Sequence, residues 1–333
     1  MKTVSINVVN HCIPCENHCR YCLLSWCGKL SGVDYERSES YARRFHEYIR
    51  QNRPELSFVF YFGYSMEHPS LAQAVRFLGS IGSPGGEFLQ FDGMRHRTET
   101  ELRVFLRELM ESGIRTIDLT FYGIGEVHDR FAGRSGDYDQ LMLIWRVANE
   151  LSLSVNVGMP LTTENAAQAD AFLTKTDALQ AARRYFFVPH SEGRGKTLAP
   201  IRLTKAAFDA MSPRAKAFLS RTRFRTESEW LQDGNFAVPE RRMLLLSLTK
   251  DNIDRLEKED PAKTILDLEA MDDRYYAQIP PLSVLAARYG NKNSDRFFSE
   301  RDLYLHYQAK YIEEMDLDIY DVNDERQSGS RRF

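Results

Sequence analysis

The sequence predicts an α/β protein built on a parallel sheet, and three observations carry that reading. Six strand-like segments alternate with helical ones over residues 1–200 of the 333. The first strand runs directly into a loop holding every cysteine of the chain. Beyond residue 200 the pattern turns mainly helical.

Residues 3–9 alternate Val4, Ile6 and Val8 with polar side chains, the period of a strand. A helix over 38–51 lines up Tyr41, Phe45, Tyr48 and Ile49, and Pro54 closes it. Residues 56–62, rich in aromatic and β-branched side chains, form a buried strand. A helix with Leu71, Val75 and Leu78 inward follows, then a short strand over 88–91. Thr98 and Glu101 make a capping box for a helix using Leu102, Phe105, Leu106 and Leu109, which Gly113 stops. Strands over 116–122, 154–159 and 185–188 alternate with helices over 138–151 and about 164–173. Such alternation implies right-handed crossovers. Periodicity alone leaves two closures open, a doubly wound sheet and a curved barrel-like one.

An apolar fraction of 43% and a charged fraction of 27% fit a soluble globular chain. No apolar run has the length of a membrane span, and the N-terminus lacks a signal-peptide layout. A cytoplasmic location is therefore expected, without a membrane partner. The net charge of −3 makes no global case for nucleic acid.

The cysteines are Cys12, Cys15, Cys19, Cys22 and Cys27. Thiols crowded into one loop of a cytosolic chain indicate metal ligation more than disulfides. Cys15-x3-Cys19-x2-Cys22 supplies three thiolates, where an iron–sulfur cluster ordinarily takes four. A missing ligand leaves one iron open to a small molecule. Cys12-x2-Cys15 and Cys19-x2-Cys22 also read as two zinc knuckles, but only three residues separate them, little chain with which to wrap an ion.

With Tyr21 before the last cysteine, this loop resembles that of the radical S-adenosylmethionine (SAM) superfamily, whose hallmark is C-x3-C-x2-C with an aromatic residue at that place. The resemblance covers about residues 1–200. It implies a partial (βα)6 TIM-like barrel with a mainly helical C-terminal extension, a single [4Fe-4S] cluster on Cys15, Cys19 and Cys22, and SAM as cofactor. The core is expected over 1–200, with the cluster loop at 12–27, and the covering extension over 201–333, its last residues frayed. Cys12 and Cys27 are surplus.

In such folds, functional groups gather at the C-terminal ends of strands. Gly63-Tyr-Ser-Met-Glu67 follows the second strand and resembles the family's segment that receives the SAM amino group, with Glu67 as the acid. Gly85-Gly86-Glu87 is the better match in letters but precedes a strand, at the wrong end. After the fourth strand, His128-Asp-x-Phe-x-Gly-Arg134-x-Gly136 resembles a stretch found in several lineages. Arg134 is the candidate for the SAM carboxylate. His128 with Asp129 is either a proton-transfer pair or a loop brace. Asn156, in the fifth strand, matches a position that faces the SAM ribose. After the sixth strand, Gly193-Arg194-Gly195 resembles a turn lining the adenine or substrate pocket, and Arg194 pairs equally well with a carboxylate of the extension.

The basic run over 213–225 suits either an anionic substrate or a solvated helix face. Tyr275 and Tyr276 are candidate hydrogen donors to a product radical. The resemblance implies an oxidoreductase or transferase that cleaves SAM to a 5′-deoxyadenosyl radical, with flavodoxin or ferredoxin as electron donor. No cysteine lies beyond Cys27 to ligate an auxiliary cluster, and strand one begins at residue 3, without an N-terminal peptide-recognition domain. A small metabolite or natural-product precursor is thus the expected substrate and a ribosomal peptide the alternative. A non-catalytic zinc or iron–sulfur module is the reading from another class.

Overall fold

The computed structural model describes residues 4–11, 15–20, 22, 32–63, 66–191, 193–236 and 243–319. Cys12, Tyr21, Cys27 and the tail from residue 320 lie outside them. The first half alternates as expected: β1 (Ser5–His11), α1 (Tyr35–Asn52), β2 (Ser57–Gly63), α2 (Leu71–Ser80), β3 (Phe88–Gln90), α3 (Glu99–Ser112), β4 (Thr116–Thr120), α4 (Glu126–Ala132), α5 (Asp137–Glu150), β5 (Ser154–Pro160), α6 (Ala169–Lys175) and β6 (Arg183–Phe187). The remainder comprises α7 (Lys205–Asp209), α8 (Pro213–Lys216), β7 (Phe224–Thr226), α9 (Glu227–Asp233), β8 (Met243–Leu248), α10 (Ile253–Leu256), α11 (Pro261–Gln278), α12 (Leu282–Tyr289), β9 (Phe297–Ser299) and α13 (Glu300–Glu314).

Two all-parallel sheets form the core, in the orders β2-β1-β8 and β3-β4-β5-β6. Placed in sequence, the strands run as a barrel split between β2 and β3. The extension contributes one of its strands: β8 pairs in parallel with β1, Val8 opposite Leu246, on the side away from β2. This strand was not foreseen, because Met-Leu-Leu-Leu-Ser-Leu has no alternation to announce it and its partner lies far away in the chain. Helix α4 also stands where the sequence suggested only a loop.

Alternation sorts the side chains. Ile6, Val8, Phe58, Phe60, Phe62, Leu244 and Leu246 point outward into one core, with Phe45 and Ile49 of α1 and Ile265 and Leu268 of α11. Ile117, Leu119, Val155, Val157 and Phe186 join Leu102, Leu106, Leu109, Trp145 and Phe172 in a second. Helix α2 bridges the split, with Leu71 and Val75 in the second core and Ala74, Phe77 and Leu78 in the first. Gly86 fits beneath it only because a Cβ there would lie 2.4 Å from the Gly79 nitrogen.

The inward faces are polar. Gln90, Asp118, Asn156 and Arg183 lie side by side in register across β3 to β6. Thr120, Gly158 and Tyr185 make the next rung toward the C-terminal ends. Tyr61 and Phe88, also inward by alternation on the two strands that flank the split, each keep 37% of their surface exposed.

The expected capping box is present at α3, with Thr98 and Glu101 exchanging hydrogen bonds with each other's backbone N–H groups. Thr98→Ala removes one of these and is expected to lower stability by about 1 kcal/mol, measurable as a shift in the urea midpoint at unchanged slope.

Candidate metal centre

Strand β1 delivers the chain at its C-terminal end into the cysteine loop, and the loop is fastened by backbone hydrogen bonds to the turn after β3 and to α4. Glu16 N–H donates to the Gly93 carbonyl just past β3 (2.8 Å), His18 N–H to Ala132 (2.7 Å) and Arg20 N–H to Phe131 (3.0 Å), both in α4. Cys22 N–H turns back to the Cys19 carbonyl at 3.3 Å. Cys15, Cys19 and Cys22 are all half-buried.

Two glycines make the seat. At Gly93, with φ +74°, a Cβ would stand 1.8 Å from the Cys15 Sγ. At Gly133, with φ +68°, a Cβ would stand 2.8 Å from the His18 carbonyl oxygen. Both require a residue without a side chain, for conformation and for space. Cys19 packs against Tyr122, Phe131, Ala132 and Leu198, and the Tyr122 hydroxyl donates to its Sγ at 3.5 Å. Burial pushes the Cys19 thiol above its ordinary range; the tyrosine opposes this, and Cys15, Asp92 and Cys22 add to it. A thiol so placed keeps its proton until a metal takes the proton's place.

A buried relay stands behind the loop. The Tyr122 N–H donates to His128 Nδ1 at 2.9 Å. A backbone N–H only donates, so Nδ1 is the acceptor and the ring proton sits on Nε2, 3.0 Å from Asp137 Oδ2. The same carboxylate oxygen accepts from Asn17 Nδ2 at 3.0 Å. Asp129 is equally occupied: its carboxylate accepts from the N–H groups of Gly136 (2.6 Å) and Tyr138 (2.9 Å), fixing the start of α5.

His128 is fully buried, with both ring nitrogens engaged in hydrogen bonds, and the Asp129 carboxylate is held by the backbone of the following turn. Arg134 donates to the Met94 carbonyl and lies 3.7 Å from Asp137 Oδ1. Gly63 ends β2 opposite His11, beside the loop. Glu67 has a different partner from the one expected. Its carboxylate takes both ends of Arg97 at 2.7 and 2.8 Å and the Arg95 N–H at 2.9 Å, tying the turn after β2 to the segment after β3. Such a bidentate pair leaves little of the acid for a ligand's ammonium group.

Asn156 sits inward, between Asp118 and Arg183. Asp118 is raised above the usual carboxylate range by burial, against the lowering pull of Asn156 and Arg183. Asp92 follows β3, accepts from Thr120 N–H (3.1 Å) and Gln90 Nε2 (2.8 Å), and is pushed up to about 6, chiefly by burial. Gly193 and Arg194 open a tight helical stretch, Gly193–Ile201; the Arg194 side chain is outside the described residues. Gly195 passes so close to the His190 carbonyl that a Cβ would lie 2.0 Å from it. Tyr275 and Tyr276 pack in the extension's own apolar cluster, with Trp230, Leu285 and Phe298, and not in the cluster around Cys19.

Sequence reasoning did not single out Gly93, Tyr122, Asn17 or Asp137. The rule of strand ends would have found the first two, since both follow the last residues of their strands. Among the described residues no three His, Cys, Asp or Glu side chains surround a single point. A cubane cluster, unlike one zinc ion, takes its ligands at separate corners, and three cysteine side chains on a single loop are a donor set it accepts.

No protein-family model and no curated protein matches the chain. Solved structures do. Coproporphyrinogen III oxidase (HemN) from Escherichia coli, a radical SAM enzyme, is 12% identical with a TM-score of 0.41, over 93% of this chain and 91% of its own. The enzyme anSMEcpe with bound AdoMet is 16% identical with a TM-score of 0.44, over 72% of this chain and 61% of its own. SuiB of Streptococcus suis, bound to its precursor peptide SuiA, is 12% identical with a TM-score of 0.40, over 57% of this chain and 40% of its own. The match thus spans less than two thirds of SuiB and of anSMEcpe. The chain is similar in structure to these enzymes, of which HemN is described as a radical SAM enzyme.

Proposed function

We propose that this protein is a radical SAM enzyme in which Cys15, Cys19 and Cys22 hold a [4Fe-4S] cluster. The observation that carries the reading is that Cys15, Cys19 and Cys22, at the superfamily's spacing, follow β1 at the C-terminal end of a split parallel barrel. When bound, the cluster and SAM supply one-electron cleavage of the sulfonium and hydrogen abstraction by the resulting 5′-deoxyadenosyl radical.

The chain's own residues orient and enclose. The carbonyls of Gly93, Phe131 and Ala132 hold the loop, and the two glycines admit it. Gly63, Asn156, Arg134 and the Gly193-Arg194-Gly195 turn are the proposed SAM contacts, joined by Tyr21 on its sequence position alone. Glu67 serves through Arg97, ordering the strand ends against each other. A flavodoxin or ferredoxin is the proposed electron donor. The inward rungs, with Asp92, Asp118, Arg183 and Tyr185, favour a small polar metabolite or natural-product precursor as substrate; such groups orient a ligand by hydrogen bonds and charge.

The test is anaerobic reconstitution with iron and sulfide, followed by reduction in the presence of SAM. Wild-type protein is expected to form 5′-deoxyadenosine and methionine, and Cys15→Ala, Cys19→Ala and Cys22→Ala to fall to background. Full cleavage by Cys19→Ala, or a colourless wild type holding one zinc ion, overturns the reading. A product adduct on a peptide but on no small molecule would move the substrate class and leave the radical chemistry standing.

A further inference from the structure

Tyr122 is held more firmly than packing requires. Its ring stacks on Phe131 with centroids 5.8 Å apart and planes 14° from parallel, and lies 5.3 Å from the His128 ring. Its N–H is taken by His128 Nδ1, and its carbonyl accepts from Asn165 Nδ2 at 2.8 Å. Both peptide groups are therefore fixed by buried side chains. The ring's packing would be satisfied by phenylalanine; the hydroxyl is what reaches Cys19 Sγ. Asp137 clamps both sides of this contact, through His128 toward Tyr122 and through Asn17 toward the cysteine loop.

We propose that Tyr122 is a positioning residue whose hydroxyl donates a hydrogen bond to the cluster-ligating Cys19 sulfur and raises the reduction potential, and that the Asn17–Asp137–His128 relay holds it in register. The inference rests on the cluster assignment above. Reduction adds negative charge that spreads onto the ligating sulfurs, and an O–H donor stabilises the reduced form more than the oxidised one. Beside the buried side chains of Phe131, Ala132 and Leu198, one such donor has a weight it would lack in solvent.

The experiment is a redox titration of the reconstituted protein without SAM, followed by electron paramagnetic resonance. Tyr122→Phe is expected to load iron and sulfide as wild type does and to show a midpoint displaced to more negative potential. Tyr138→Phe is the control. That side chain is also buried beside His128, at 5.9 Å between centroids, but its hydroxyl has no partner among the described residues, and its loss is expected to leave the midpoint in place. Tyr122→Met removes the donor from a flexible side chain and serves should the phenylalanine variant not fold. Equal midpoints for wild type and either Tyr122 variant overturn the proposal while the cluster assignment stands. A wild type that loads no cluster overturns the assignment itself, and this proposal with it.

Discussion

Gly93→Ala is expected to fold and yet to lose the ability to load a cluster. The backbone there is left-handed, with φ +74°, which alone costs a residue bearing a Cβ roughly 1–2 kcal/mol. A chain of this size survives such a loss. What it cannot accommodate locally is the new methyl group, which would stand 1.8 Å from the Cys15 Sγ. Either the thiol moves or the turn after β3 does, and the second option breaks the Glu16 to Gly93 hydrogen bond that seats the loop. Both displace one of three ligands. Iron and sulfide counted per chain after reconstitution, beside a far-ultraviolet circular dichroism spectrum, separate the outcomes. A native spectrum with little bound iron is expected; wild-type iron content in the alanine variant would show that the seat is not as tight as drawn.

Asp302→Ala is expected to be the most destabilising of the single changes considered. Arg202 and Asp302 are both buried, 3% and 2% exposed, and paired at 2.9 Å. The guanidinium also donates to the carbonyls of Phe297 (2.6 Å) and Pro189 (2.9 Å) and lies 3.9 Å above the Phe298 ring. The carboxylate accepts from Ser191 N–H at 3.0 Å, and His190 Nδ1 is 3.6 Å away. One ion pair thus joins the loop after β6 to β9 and α13. Removing the acid strands a buried guanidinium, which costs about 3–5 kcal/mol. The thermal midpoint should fall by roughly 4–7 degrees in a chain of this length. Arg202→Met with Asp302→Leu, which removes both charges, should recover a large part of that loss. A single variant as stable as wild type would mean that water reaches the pair. The consequence for the site is positional, since the same loop leads into Gly193-Arg194-Gly195.

The parts legible in the sequence are those with local signatures. Phe58, Phe60 and Phe62 announce β2 by their period of two, and Leu102, Leu106 and Leu109 announce α3 by theirs of three and four. The three cysteines are legible because spacing within a loop survives folding unchanged. Strand β8 was not, since a run such as Met-Leu-Leu-Leu reads equally as helix or strand, and only its distant pairing with β1 decides. The stretch over 128–138 was found as a motif with two alternatives for His128 and Asp129, whose hydrogen-bond partners only tertiary structure supplies. Glu67 shows the same limit. Nothing local distinguishes an acid waiting for a ligand from one already held by Arg97, thirty residues on.

In the proposed function Cys15, Cys19 and Cys22 alone ligate the cluster, which leaves one iron open. Mössbauer spectra of the reconstituted protein with and without SAM test it most directly. The account predicts that SAM alters the spectrum of one iron of the four and leaves the other three as they were. Spectra identical with and without SAM would contradict it.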